Sequence, residues 1–144
     1  MRINFDMDGT IADLYGVAGW LDYLKAEDTK PYENAKPLVN FSTLARLLNK
    51  AQRNGHEIAV ISWTSKNGSK EFNEAVAEVK RAWLAKHLPS VCWNEITVIP
   101  YGTPKTFYCY GAEDVLFDDE EPNRMNWKGV AYTEKNILNF LRSL

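Results

Sequence analysis

Two aspartates stand one residue apart in the stretch FDMDGT, residues 5 to 10, and two more, Asp118 and Asp119, follow the apolar run DVLF at 114 to 117. Carboxylates brought together raise one another's pKa unless a cation neutralises them. A hard divalent cation with oxygen ligands does so, and Mg²⁺ suits a site of few carboxylates plus water. A cation held this way, with open positions, calls for an anionic ligand, and phosphate fits. Lys105 offers a positive charge, and Ser62 or Thr64 can donate hydrogen bonds to phosphoryl oxygens. A carboxylate can also attack phosphorus to form an aspartyl-phosphate. A second carboxyl two residues on points to the same side of an extended chain, where it can protonate a leaving oxygen and later take a proton from water. FDMDGT therefore reads as a nucleophile followed by an acid and base. Gly9 permits the sharp turn and Thr10 holds it by hydrogen bonding.

These residues need elements to gather them. RINF (2 to 5), EIAVIS (57 to 62), EITVI (95 to 99), DVLF (114 to 117) and GVAY (129 to 132) read as five strands. Phe41, Leu44, Leu47, Leu48 and Ala51 fall at helical spacing, with Gly55 suited to the C-terminal cap. Phe72, Val76, Val79, Trp83 and Leu88 mark a second helix stopped by Pro89, and Ile137, Leu138 and Leu141 a third. The stretch from Leu14 to about Ala26 also reads as helical, and residues 27 to 40, with Pro31 and Pro37, as a loop. Alternating strands and helices predict a three-layer, Rossmann-like α/β fold on a parallel sheet. Right-handed crossovers favour the strand order 3-2-1-4-5. Ligands of such folds sit beyond the carboxyl ends of the strands where the winding reverses, here between the first and fourth strands. Asp6, Asp8, Ser62, Thr64, Asp118 and Asp119 all leave strands at that edge, and Lys105 lies just before the fourth.

Composition narrows the function class. The 144 residues are 45% hydrophobic and 25% charged, which suits one domain with a core that needs no metal or disulfide to fold. A net charge of -2 argues against a domain that works by coating nucleic acid. Cys92 and Cys109 form no metal-ligand pattern with His56 and His87, and read as reduced thiols of a cytoplasmic protein. No apolar run approaches the ~20 residues of a membrane span, and the first strand leaves no room for a signal peptide. Neither histidine falls at a strand's carboxyl end, so no Ser-His-Asp or Cys-His nucleophile is expected.

The chain resembles the haloacid dehalogenase (HAD)-like superfamily of phosphohydrolases. INFDMDGT looks like its first motif, AVISWTS its second, GTPK its third and VLFDDEEPN its fourth, in order over nearly the whole chain. The resemblance implies that Asp6 is the nucleophile and a Mg²⁺ ligand, and that Asp8 is the general acid and base and lends Mg²⁺ its backbone carbonyl. It implies that Ser62 binds the phosphoryl group and that Lys105 steadies the charge on Asp6 and phosphate. Asp119 would be the direct metal ligand of the adjacent pair, with Asp118 supporting Lys105 or a metal-bound water. An acid at position 8 favours phosphate chemistry over dehalogenation.

Between the first and second motifs the chain has room for the helix at 41 to 54 and for a further piece, residues 14 to 40, too short for a full helical cap. The expectation is one domain, 1 to 144, with a minimal helical lid. Trp20, Tyr23 and Tyr32 in that piece either stack on a base or sugar or pack the lid on the core. Trp63 either lines the pocket or serves packing, and with Gly9, Thr10 and Thr64 it is a candidate substrate-binding residue. The adjacent acids and early lid are similar to the 5'(3')-deoxyribonucleotidase branch, whose caps are larger. The leading expectation is a Mg²⁺-dependent phosphatase acting on a small phosphomonoester, a (deoxy)nucleotide first. A nearly open site also suits a nucleic-acid end or a phosphoprotein. A phosphate-binding module without turnover, and a phosphotransferase, are the readings from other classes.

Overall fold

Isoleucine and phenylalanine at alternate positions of β1 (Arg2–Phe5) put two fully buried side chains on one face of the strand that becomes the centre of the sheet. The computed structural model describes residues 1–144. After β1 come the two-residue strand β2 (Ala12–Asp13), helices α1 (Trp20–Lys25) and α2 (Lys30–Asn34), and β3 (Lys36–Pro37). Then follow α3 (Phe41–Arg53), β4 (Glu57–Trp63), α4 (Lys70–His87), β5 (Glu95–Ile99), β6 (Val115–Phe117), α5 (Glu121–Asn126), β7 (Val130–Tyr132) and α6 (Ile137–Arg142).

The main sheet is parallel and runs β5-β4-β1-β6-β7. Counted among its own five strands this is 3-2-1-4-5. The chain numbering differs only because a small antiparallel ribbon, β2 with β3, is interposed. Register pairs Phe5 with Val60 on one side and Phe117 on the other, so the ends of β1, β4 and β6 come level.

One face of the sheet carries the main core. Ile3, Phe5, Ile58, Val60, Val115 and Phe117 meet apolar residues of α3, α4 and α6. Across this face Phe5 stacks on Phe117 at 5.4 Å and Phe117 on Tyr132 at 5.7 Å, an aromatic ladder that fixes the register. The other face is covered more lightly, by Trp127, Tyr108 and the segment around the 3₁₀ turn Lys105–Tyr108. α3 is bounded by a side-chain cap at Asn40, which accepts from Thr43 N at 3.0 Å. It ends in a Schellman closure in which Gly55 at φ 90° and His56 donate back to Gln52 and Ala51.

The piece between β1 and α3 differs from expectation. The helix foreseen over 14 to 26 is confined to Trp20–Lys25, because Gly16 closes a turn on Asp13 Oδ1 and Gly19 adopts φ 73°. The loop foreseen over 27 to 40 contains α2, whose Pro31 suits a first helical turn, and β3.

Candidate active site

The loop leaving β1 closes on itself. Thr10, Ile11 and Ala12 all donate backbone N–H to the carbonyl of Met7, at 3.0, 3.0 and 2.9 Å. Gly9 at φ 81° makes the turn, and a Cβ there would lie 2.4 Å from Asp119 Oδ2. Only glycine lets the two strand-end loops approach this closely. The result sets Asp6, Asp118 and Asp119 side by side, with one carboxylate oxygen of each within 4.8 Å of the others.

Lys105 sits among them. Its Nζ donates to Asp6 Oδ1 and to Asp118 Oδ2, both at 2.7 Å, and only 3% of the residue is exposed. Burial opposes its charge, but Asp6 and Asp118 outweigh that and hold the ammonium pKa above its ordinary value. Asp118 is fully buried, accepts from Glu120 N at 2.9 Å and Asn123 Nδ2 at 3.1 Å, and faces Lys105. Asp119 lies further out and donates its N–H to Thr10 Oγ1 at 3.2 Å. Thr10 in turn donates to Asp6 Oδ2 at 2.9 Å. Thr10 is itself fully buried, so it orders carboxylates instead of meeting a substrate.

One lysine does not balance three carboxylates. Burial and the neighbouring Asp6 raise Asp118 to about 6, against the pull of Lys105. Burial, Asp6 and Asp118 raise Asp119 to about 8. Groups left short of positive charge in this way, all offering hard oxygen donors, fit a divalent cation.

Asp8 is not one of this trio of carboxylates but lines the same cavity as Asp6 and Asp119. Its Oδ2 accepts from Lys80 Nζ at 2.8 Å. Burial raises its pKa, with Lys80 partly offsetting the effect. Lys80 was not foreseen. It lies on α4 between Val76 and Trp83, on the buried stripe of that helix, and is 1% exposed. A lysine at i+4 from Val76 and i−3 from Trp83 is the signal the sequence offered.

Ser62 also departs from expectation. It has no exposed surface, its Oγ accepts from Lys80 at 2.7 Å, and it lies beneath the cavity instead of lining it. Beyond β4 the hydroxyl-bearing residues Thr64, Ser65 and Ser69 line the cavity, whereas Ser62 lies within the strand with its Oγ turned to Lys80 of α4.

The cavity, of about 760 Å³, opens over Asp6, Asp8, Lys105 and Asp119. Trp63 forms one wall, its Nε1 donating to Thr103 O at 2.9 Å and its ring 4.9 Å from that of Tyr101. Lys66 lies 5.8 Å over the Tyr101 ring. The opposite wall comes from residues 14 to 32, with Tyr15 and Trp20 in edge contact at 5.0 Å. Of the three rings singled out in that piece, Trp20 and Tyr32 line the cavity, Tyr32 also packing against Leu14, Phe72 and Val76, and Tyr23 packs under Lys30. Arg124 donates to Asp118 O at 2.9 Å. Cys92 and Cys109 are both free thiols. No helix is long and apolar enough to cross a membrane.

No family model and no curated protein matches the sequence. Among solved structures, the chain is similar to the D,D-heptose 1,7-bisphosphate phosphatase from Burkholderia thailandensis, with a TM-score of 0.56 and 10% sequence identity, over 99% of this chain and 96% of that one. The two share a Rossmann-like α/β fold built on a parallel sheet.

Proposed function

We propose that the protein is a Mg²⁺-dependent phosphomonoesterase working through a phosphoryl group on Asp6. The observation that carries this reading is the grouping at the end of the central strand. Asp6 is held on one oxygen by Lys105 and on the other by Thr10, with Asp118, Asp119 and Asp8 around it. A carboxylate fixed at both oxygens keeps lone pairs for in-line attack and loses little freedom on reacting. Lys105 offsets charge on Asp6 and on the incoming phosphoryl oxygens. Asp8 gives a proton to the leaving oxygen, then takes one from the water that cleaves phospho-Asp6. Thr64 donates to a phosphoryl oxygen from the far side. Asp6, Asp119 and the backbone carbonyl of Asp8 would hold Mg²⁺, with Asp118 supporting Lys105. When bound, the cation supplies charge neutralisation for the transferring phosphoryl group.

Residues 14 to 40 serve as a small lid over the cavity. Its aromatic walls suit an ester whose organic group has a flat face, a (deoxy)nucleotide first, as in the deoxyribonucleotidase branch. The printed name of the structural neighbour, a sugar bisphosphate phosphatase, supports the reaction class. Two free thiols suit a reducing compartment such as the cytoplasm.

The test is phosphate release from a panel of aryl phosphate, nucleoside monophosphates, sugar phosphates and end-phosphorylated oligonucleotides, with Mg²⁺ and with EDTA. Mg²⁺-dependent release that Asp6→Asn lacks is expected, with mononucleotides preferred. Better hydrolysis of the oligonucleotides would move the substrate to nucleic-acid ends. Equal release by wild type and Asp6→Asn would refute the mechanism.

A further inference from the structure

Lys80 is the one buried cation that the reaction described above does not use. An ammonium has three protons and no acceptor, and in Lys80 each proton has a partner. Nζ donates to Asp8 Oδ2 at 2.8 Å, to Ser62 Oγ at 2.7 Å and to Trp63 O at 2.7 Å. Two of these acceptors belong to β4 and the third to the loop after β1. The bond from Lys80 is the one hydrogen bond that the Asp8 carboxylate makes to another side chain. A buried lysine costs desolvation free energy, and an apolar residue would fill the helical stripe without it.

We infer that Lys80 is the positioning residue for the acid step, fastening Asp8 to the end of β4 so that its second oxygen faces the leaving group. The inference rests on the phosphatase reading and deepens it. With Oδ2 fixed by Lys80, Oδ1 is the oxygen left to carry the proton into the cavity that Asp8 lines. In the first step the Asp6 carboxylate bonds to phosphorus, the P–O ester bond breaks, and the departing oxygen takes the proton from Asp8 Oδ1. In the second, water bonds to phosphorus, the bond to Asp6 breaks, and a water proton returns to Oδ1. Lys80 neither gains nor loses a proton in either step. The buried ring of Tyr32, contributed by the lid piece, lies 5.0 Å from Nζ, and with Lys80 itself 1% exposed the ammonium is shielded from water that would loosen the fastening.

A residue that acts through the general acid is needed most when the leaving group is poor. The experiment compares para-nitrophenyl phosphate, whose leaving group departs without help, with phenyl phosphate, whose does not. Wild type, Lys80→Met, Asp8→Asn and the double variant are assayed with Mg²⁺. Lys80→Met is expected to lower kcat on phenyl phosphate by about 100-fold and on para-nitrophenyl phosphate by less than about 10-fold, with KM little changed. In the Asp8→Asn background Lys80→Met is expected to cost no more than about 3-fold further, since the group it positions is gone. Lys80→Gln, which keeps two amide donors, serves the same comparison if the methionine variant does not fold. Equal losses on both esters, or losses that multiply in the double variant, overturn the inference and make Lys80 a structural residue. A wild type inert toward both esters overturns the phosphatase reading and this inference with it.

Discussion

Replacing Asp119 by Asn should stabilise the metal-free protein in alkaline solution while abolishing its response to Mg²⁺. The carboxyl pKa is pushed from 3.8 to about 8, by burial and by Asp6 and Asp118. For an acid raised in the folded state, folding binds protons between these two values. Stability is fully present below pH 4 and falls as pH rises through 8. A shift of about four units corresponds to at most about 6 kcal/mol. Asp119 is only half-buried and shares its repulsion with two neighbours, so solvent screening reduces this to about 1–3 kcal/mol. Asn has the same shape, keeps an acceptor near Thr10, and carries no charge to be penalised. The variant should therefore match wild type at pH 4.5 and exceed it by about 2–10 °C in Tm at pH 9, in EDTA. Saturating Mg²⁺ should reverse the order: wild type gains about 2.7 kcal/mol at a concentration 100 times Kd, and the variant gains little. Thermal unfolding followed by circular dichroism at both pH values, with EDTA or Mg²⁺, makes the measurement. A variant less stable than wild type at pH 9 in EDTA by as much as at pH 4.5 would show that Asp119 is a structural hydrogen-bonding residue, and the charge-deficit argument would fail.

Lys105→Met should cost about 3–5 kcal/mol, because it leaves the buried Asp6 and Asp118 without their shared cation; urea denaturation at pH 8 reads it, and a loss under 1 kcal/mol would contradict the burial described. Gly9→Ala should both weaken Mg²⁺ binding and destabilise, since it combines a left-handed backbone with a Cβ placed against the Asp119 carboxylate; isothermal titration with Mg²⁺ checks the first effect. Ser62→Ala should leave KM for an aryl phosphate within about 3-fold while Thr64→Val raises it by about 10-fold or more, the loss of one hydrogen bond to a charged group; the opposite pattern would return Ser62 to the phosphoryl site.

Much of this arrangement was legible in the chain. Five apolar runs bounded by turns and helical stripes suffice to define a parallel α/β sheet and its winding, because burial on both faces demands continuous apolar strands and right-handed crossovers leave few topologies. The carboxylates of the strand-end loops were legible for the same reason, since strand ends deliver their next residues to one edge. Local pattern misjudged the piece at 14 to 40, where the turn that Gly16 closes on Asp13 and the left-handed Gly19 break an apparently helical stripe. It also misjudged which hydroxyl near the end of β4 meets the cavity, because Ser62 lies on the strand face that α4 covers and its Oγ is taken up by Lys80. Helical spacing could place Lys80 on the buried stripe of α4, but the partners of Lys80 belong to tertiary structure alone. Its partners lie 18 and 72 positions away in sequence, and only the docking of α4 against the ends of β1 and β4 makes three acceptors converge on one buried ammonium. Composition and periodicity determine which residues are buried and at which edge loops emerge. Which polar groups then satisfy one another is decided by packing, since a buried donor must find its acceptors wherever the fold has put them.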